Sequence, residues 1–281
     1  MLQDAFPRAL LPRSILYYLS VCLLAKLCGC RVMFYAQGVG PIHGRLARLL
    51  VRLVADRVDR ISVRDPDSAD LLRQIGIRRP PVHITADPAL AWQPGLAGEI
   101  VPRLASVHDP FVISVRPWPG GEAHLRAVAG TADRAVRAWG ATPVLLPFAA
   151  GADTDACRRV REFMTEGERA VILPELPPAE IYGVVAGASL VLGMRLHSLI
   201  LAAMAGVPLV GLAYDPKVAS FLRRLALEDF ICPLEADAET IWRILQAARE
   251  RRAEITATLA DRLPALRERA LATAQLARGL L

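Results

Sequence analysis

The feature that most constrains this chain is a series of five short, almost wholly apolar segments between residues 111 and 213: "FVISV", "TPVLLP", "AVILP", "SLVLG" and "PLVGLA". Each is separated from the next by a stretch of helical spacing. A strand exposed on one face alternates apolar and polar residues. A strand apolar throughout is buried on both faces, which calls for a parallel sheet covered by helices on either side. Residues 109–235 are therefore expected to form an α/β domain with Rossmann-like topology.

The first half shows the same alternation with fewer strands. A helix from about Arg13 runs towards Gly29, and "VMFYA" reads as a buried strand. "GRLARLLVRLVADRV" has helical apolar spacing, "RISVRD" is a strand and "PVHIT" another. Between the last two, "PDSADLLRQIG" reads as a helix with Asp65 as cap, Pro66 at its first position and Gly76 as its stop. A doubly wound domain ordinarily opens on a strand, so residues 1–95 are expected to be an incomplete Rossmann-like domain. Residues 89–109 read as a linker. Residues 236–281 read as helical, broken at Pro264, with no strand pattern.

Length and composition admit this plan. A chain of 281 residues, 53% hydrophobic and 22% charged, is globular and has room for two domains. Its formal charge of +6 is spread along the sequence, which suits a small anionic substrate or a membrane surface and is too diffuse for nucleic acid. Cys22, Cys28, Cys30, Cys157 and Cys232 are odd in number and irregular in spacing, and are expected to be buried free thiols in a reducing cytoplasm. "SILYYLSVCLLAKLCGC" resembles a membrane segment, but the uncharged run over 14–25 is too short to span a bilayer and no convincing cleavage site follows. A buried helix is expected there.

In a parallel α/β sheet, ligands bind beyond the carboxyl ends of the strands. "GMRLHSL" places Arg195 and His197 just past "SLVLG", and Lys217 lies just past "PLVGLA". Helices starting near Leu196 and Pro216 add partial positive charge at the same level. Together these suit a ligand carrying several negative charges. Taken singly, His197 also reads as a satisfied core histidine, and Arg195 as the partner of a structural carboxylate. Asp215-Pro216 repeats the cap-and-proline device of Asp65-Pro66 and is expected to position the loop that presents Lys217. "ISVRPWPGG" and "ISVRD" end in Arg116 and Arg64, each a candidate for anion binding or for a structural ion pair. "YAQGVGPIHG" has the wrong spacing for a dinucleotide loop. It offers Gln37 as a polar contact, with Arg45 or Arg48 as anion partners or as solvated positions on the following helix. No GxSxG, HExxH or Walker A motif occurs, and the five histidines form no metal-binding pattern.

"LQDAFPRALLPRSILYYL", "VMFYAQGVGPI", "ISVRDPDSADLL", "TADPAL", "SVRPW" and "GMRLHSLILAAMAGVPLVGLAYDPKV", in that order, resemble the polysaccharide pyruvyl transferase family, specifically its CsaB branch. The resemblance extends over nearly the whole chain. It implies a GT-B-like fold with two Rossmann-like domains facing a cleft. It also implies transfer of the pyruvyl group of phosphoenolpyruvate to a sugar as a 4,6-linked ketal. For this branch the acceptor is N-acetylmannosamine in a cell-wall polysaccharide or its lipid-linked precursor, and the product anchors surface-layer proteins. Cytoplasmic location follows, possible contact with the inner membrane face included, with no cofactor or metal required and phosphoenolpyruvate as co-substrate. Residue by residue, the resemblance gives His197 the proton transfers, Arg195 a carboxylate or phosphate, and Lys217 the phosphate, with Arg116 as a further anion contact.

One departure stands out. In the family a longer region ending in a glycine-rich loop precedes the "LQD" segment, whereas here Met1 directly precedes Leu2, Gln3 and Asp4. The expectation is a start assigned too late or a truncated protein, with acceptor binding the most affected. Two other readings fit the same sequence: a GT-B glycosyltransferase using a nucleotide sugar, and a non-catalytic protein that binds anionic glycans. The basic, amphipathic tail reads either as helices packed on the domains or as a membrane contact.

Overall fold

The computed structural model describes residues 13–93 and 107–280. The "LQDAFPRALLP" part of the resemblance and most of the expected linker lie outside the described residues. The chain divides into two compact units, one comprising residues 1–92 with 264–281 and the other residues 93–263.

Unit 1 runs α1 (Arg13–Leu27), β1 (Met33–Gln37), α2 (Arg45–Ala55), β2 (Arg60–Val63), α3 (Pro66–Ile75) and β3 (Val82–Ile84). Its three strands are parallel in the order β1-β2-β3. The register slips between Phe34 and Gln37, where Ala36 has φ of 43° and turns its N–H to the hydroxyl of buried Ser62 at 2.7 Å. A non-glycine residue seldom adopts this conformation. Here Ser62 replaces the ladder bond that the slip removes.

Asp65 caps α3 by accepting the Ser68 N–H at 2.7 Å, with Pro66 at the first position. Gly76 closes the helix at φ of 92°, a left-handed turn that glycine adopts without strain. Ile15, Phe34, Ile42, Val51, Ile61 and Leu72 form the heart of the core of this unit.

The expectation of a buried N-terminal helix is corrected. Ile15 and Leu19 of α1 are buried, but Tyr17, Leu24 and Leu27 are 64%, 63% and 76% exposed. The helix is apolar on all sides, and a helix packed on a sheet covers only one of them. The exposed large apolar side chains among the described residues, which include Leu46, Leu49 and Leu53 of α2, all belong to unit 1. No helix among the described residues is long and apolar enough to cross a membrane.

Unit 2 contains β4 (Pro110–Ser114), α4 (Ala123–Trp139), β5 (Thr142–Leu145), α5 (Ala152–Phe163), β6 (Val171–Ile172) and α6 (Pro178–Ala186). It continues with β7 (Leu190–Gly193), α7 (Leu196–Met204), β8 (Leu209–Ala213), α8 (Pro216–Arg224), β9 (Ile231–Pro233) and α9 (Ala238–Glu250). All five predicted strands are present, and β9 is a sixth that its three-residue length concealed. The sheet is parallel throughout in the order β6-β5-β4-β7-β8-β9. The chain therefore builds outward from β4 in one direction, returns, and builds outward from β7 in the other. Residues 190–193 of β7 are buried at every position, as their apolar run requires.

The tail departs from expectation in where it breaks. The interruption falls at Arg251, and α10 (Arg252–Arg278) runs through Pro264 as one helix. The proline removes one N–H from the ladder, yet the Ala, Leu, Glu and Arg residues around it favour helix strongly enough to continue. Ile255 and Leu259 are buried in the part that belongs to unit 2; Leu266 and Ala270 are buried in the part that belongs to unit 1.

Candidate functional site

The reversal of strand order in unit 2 fixes where a ligand would lie. Loops after β4 and β7 leave the sheet in opposite directions, and such a switch point opens a crevice at the carboxyl ends of the two strands. Three of the predicted cations follow three neighbouring strands: Arg116 after β4, Arg195 after β7 and Lys217 after β8. Adjacent strands are about 4.8 Å apart, so these loops leave the sheet over a span of roughly 10 Å.

Two local arrangements hold the cations. Arg116 and Lys217 share Tyr214: the two charged groups lie 5.2 and 5.1 Å from its ring centroid. The Arg116 Nη1 also donates to the Tyr214 hydroxyl at 3.3 Å. Trp118 packs edge-on against the same ring at 4.8 Å and takes Arg116 at 5.7 Å. A buried His124 ring nitrogen meets the Arg116 carbonyl at 3.1 Å and ties this loop to α4. The loop turns at Gly120 and Gly121, whose φ values of 114° and 102° exclude most other residues. Asp215 caps α8 through the Lys217 N–H at 3.0 Å and pairs with its Nζ at 3.1 Å. The cap that the sequence announces thus also fixes the lysine head group.

Arg195 is held differently. Its Nε donates to Asp153 Oδ2 at 2.8 Å and its Nη2 to Oδ1. Asp153 is fully buried in the first turn of α5 and also accepts the N–H groups of Phe148 and Ala149 at 3.2 and 3.0 Å. Burial, and then the charge of Asp153, push the Cys157 thiol up to about 12. His197 is exposed in the first turn of α7. That turn is fixed by the Arg195 carbonyl, which accepts both the N–H and the hydroxyl of Ser198 at 3.0 and 2.6 Å.

Arg64, Gln37 and Arg45 belong to unit 1. Arg64 is largely buried, donates to Asp87 at 3.0 Å and lies 3.7 Å from Asp65. Its guanidinium packs so closely on Gly38 that a Cβ there would come within 2.8 Å of it. Of its two sequence readings, the structural ion pair is the one this geometry displays. Gln37 Nε2 contacts the Gly38 carbonyl at 3.4 Å, Arg45 is exposed at the start of α2, and Arg48 donates to the Ile42 carbonyl at 2.8 Å. Among the described residues no group of His, Cys, Asp and Glu has the arrangement of a metal site.

Sequence reasoning missed Asp153, Trp118 and Tyr214. Trp118 and Tyr214 sit inside the segments already singled out, "RPWPGG" and "YDPK", and the aromatic beside each cation was the available signal. Asp153 carried none, since an acid in the first turn of a helix is commonplace. The cysteine expectation needs one correction. All five are free thiols, but Cys22 on α1 is only half-buried, and Cys28 and Cys30 are exposed because they fall on the turn after α1.

No curated protein matches the sequence. Solved structures share its fold at low identity. The Anabaena protein Alr3699/HepE in complex with UDP superposes with a TM-score of 0.64 at 16% identity, covering 95% of this chain and 76% of that one. A UDP-GlcNAc 2-epimerase from Neisseria meningitidis gives 0.68 at 10%, covering 93% and 73%. A UDP-forming α,α-trehalose-phosphate synthase from Burkholderia xenovorans gives 0.63 at 12%, covering 94% and 71%. These likenesses establish a GT-B-like α/β fold. The family profile of polysaccharide pyruvyl transferases matches residues 8–216, which include Arg116, Asp153, Arg195, His197 and the Tyr214-Asp215-Pro216 turn, and the chain belongs to that family.

Proposed function

We propose that this transferase moves the pyruvyl group of phosphoenolpyruvate onto a sugar as a cyclic ketal. We further propose N-acetylmannosamine of a cell-wall polysaccharide, or its lipid-linked precursor at the inner membrane face, as acceptor, as in the CsaB branch. The observation that carries the donor assignment is the placement of Arg116, Arg195 and Lys217 after three adjacent strands at the switch point. They fall into two sets, Arg116 with Lys217 about Tyr214, and Arg195 on Asp153. Two anion-binding sets suit a small ligand with a carboxylate and a phosphate. Arginine offers a planar fork for either group, and lysine a point charge for the phosphate.

The chemistry needs a proton on the enol methylene, which becomes the methyl group. Positive charge then develops at the adjacent carbon. One sugar hydroxyl forms a bond to that carbon and gives up its proton. The carbon–oxygen bond to phosphate breaks, the second hydroxyl closes the ring, and its proton balances the departing phosphate. Imidazole is the side chain best suited to transfers in both directions. His197, exposed beside Arg195 on α7, takes that role. No metal or organic cofactor is called for by these steps.

The neighbours named for UDP and UDP-sugars favour one other reading, a glycosyltransferase using a nucleotide sugar. Products separate the two. Incubation with phosphoenolpyruvate and an N-acetylmannosamine-containing acceptor is expected to release inorganic phosphate, seen by 31P NMR, and to add the mass of a pyruvyl ketal. Glycoside and UDP from a UDP-sugar, with no ketal, would replace this reading with the other. Folded His197→Ala that transfers at the rate of the parent would remove His197 from the mechanism.

A further inference from the structure

Asp153 is a carboxylate with no exposure at all, and such a group is costly to bury unless its oxygens are fully engaged. They are: two backbone N–H groups of the loop after β5 and two N–H groups of Arg195 converge on them. A guanidinium has two edges able to grip a planar anion, Nε with Nη2 and Nη1 with Nη2. Asp153 occupies the first. The second is left over, on a side chain that keeps 24% of its exposure.

The direction of the bridge matters as well. Arg195 follows β7 and Asp153 follows β5, and β4 lies between those strands. The ion pair therefore joins the β5 and β7 loops across the carboxyl end of β4, at the switch point itself. An unanchored arginine there would sample many rotamers and lose that freedom on every binding event.

We propose that Asp153 is a positioning residue, which fixes Arg195 by its Nε/Nη2 edge and presents the Nη1/Nη2 edge to an anionic group of the bound donor. The inference rests on the reading of Arg195 as a donor contact. It competes with two simpler roles for Asp153: a counter-charge that merely offsets a cation, and a support for the loop at 148–149.

The test is arginine side-chain NMR followed by kinetics. In the parent protein the Nε–Hε signal of Arg195, assigned by its loss in Arg195→Gln, should be protected from exchange and should shift when phosphoenolpyruvate is added. In Asp153→Asn the protection should be lost. Turnover should fall about tenfold to a hundredfold, the usual penalty of a small misplacement. In the Arg195→Gln background the same Asp153→Asn change should cost nothing further. An Nε–Hε signal as protected in Asp153→Asn as in the parent overturns the inference. So does an equal loss of turnover in both backgrounds, which marks loop support, or tighter donor binding at unchanged turnover, which marks a counter-charge. A parent Arg195 signal that is protected but indifferent to phosphoenolpyruvate refutes the donor reading while leaving the anchor standing, so the two failures are distinguishable.

Discussion

Gly193, the last residue of β7, sets how closely α7 approaches the sheet, and replacing it with alanine tests whether that closeness places the site. A Cβ at this position would lie 2.5 Å from Ser198 Oγ and 2.7 and 2.8 Å from Leu199 Cδ2 and Cγ. Ordinary contacts of a Cβ begin near 3.4 Å, so α7 must retreat by about 0.6 to 0.9 Å. Neither neighbour yields easily, since Ser198 is bonded to the Arg195 carbonyl and Leu199 is fully buried. Overpacking of this kind costs about 1–3 kcal/mol, which for a protein of this size lowers Tm by roughly 2–12 °C. The displaced turn carries Arg195 and His197, and a shift approaching 1 Å in a site can cost about a hundredfold in rate.

Gly167→Ala is the matched control. Its Cβ would lie 2.6 Å from the Arg161 carbonyl oxygen, in the last turn of α5 and away from the residues placed in the site. Differential scanning calorimetry with steady-state kinetics should show both variants destabilised and only Gly193→Ala depressed in kcat. Gly193→Ala with the parent's Tm and turnover would refute the reasoning, and equal loss of turnover in both would reduce it to general instability.

Other outcomes follow from particular contacts. Tyr214→Ala removes the ring shared by Arg116 and Lys217 and should raise KM for phosphoenolpyruvate by about fivefold to thirtyfold. Tyr214→Phe keeps the ring and should change KM less than about threefold, as initial rates would show. A thiol reagent near pH 8 should label Cys28 and Cys30 in the native protein. Cys157 and Cys232, both buried and pushed up to about 12, should react only after urea unfolding, as peptide mass spectrometry would report. In unit 1, the Val32 N–H and then Lys26 hold the Asp59 carboxyl below its ordinary range, and the N–H groups of Arg78 and Arg79 do the same for Asp56. A depressed folded-state value contributes stability above the unfolded value near 4, and that contribution fades as pH falls through the folded value. Urea midpoints should therefore decline below about pH 4, and Asp59→Asn should flatten the decline.

What was legible in the sequence was what local chemistry decides. The apolar runs gave five strands of unit 2, and Asp65-Pro66 and Asp215-Pro216 announced helix starts that the backbone displays. Arg195 and Lys217 could be placed at strand ends because each directly follows such a run. What depended on strand order could not be read. Asp153 meets Arg195 only because β5, β4 and β7 lie side by side, an adjacency that chain order does not contain. The three-residue β9, ending in a proline, lacked the length to register as a strand. Exposure of α1 was equally hidden, because an all-round apolar helix reads as buried whether or not anything covers its second face.

The composition of unit 1 from two distant pieces has a consequence for synthesis. Its first 92 residues are made early, but residues 264–281 also belong to it. Arg31 and Arg60 donate to the carbonyls of Leu280 and Leu276, and Leu266 and Ala270 are buried there. At ordinary rates of translation, the intervening segment takes on the order of ten to thirty seconds to emerge. Throughout that interval unit 1 must wait without its second piece, while unit 2 folds as a contiguous block. Chaperone demand should therefore concentrate on the nascent first unit, which is completed only by residues made after unit 2.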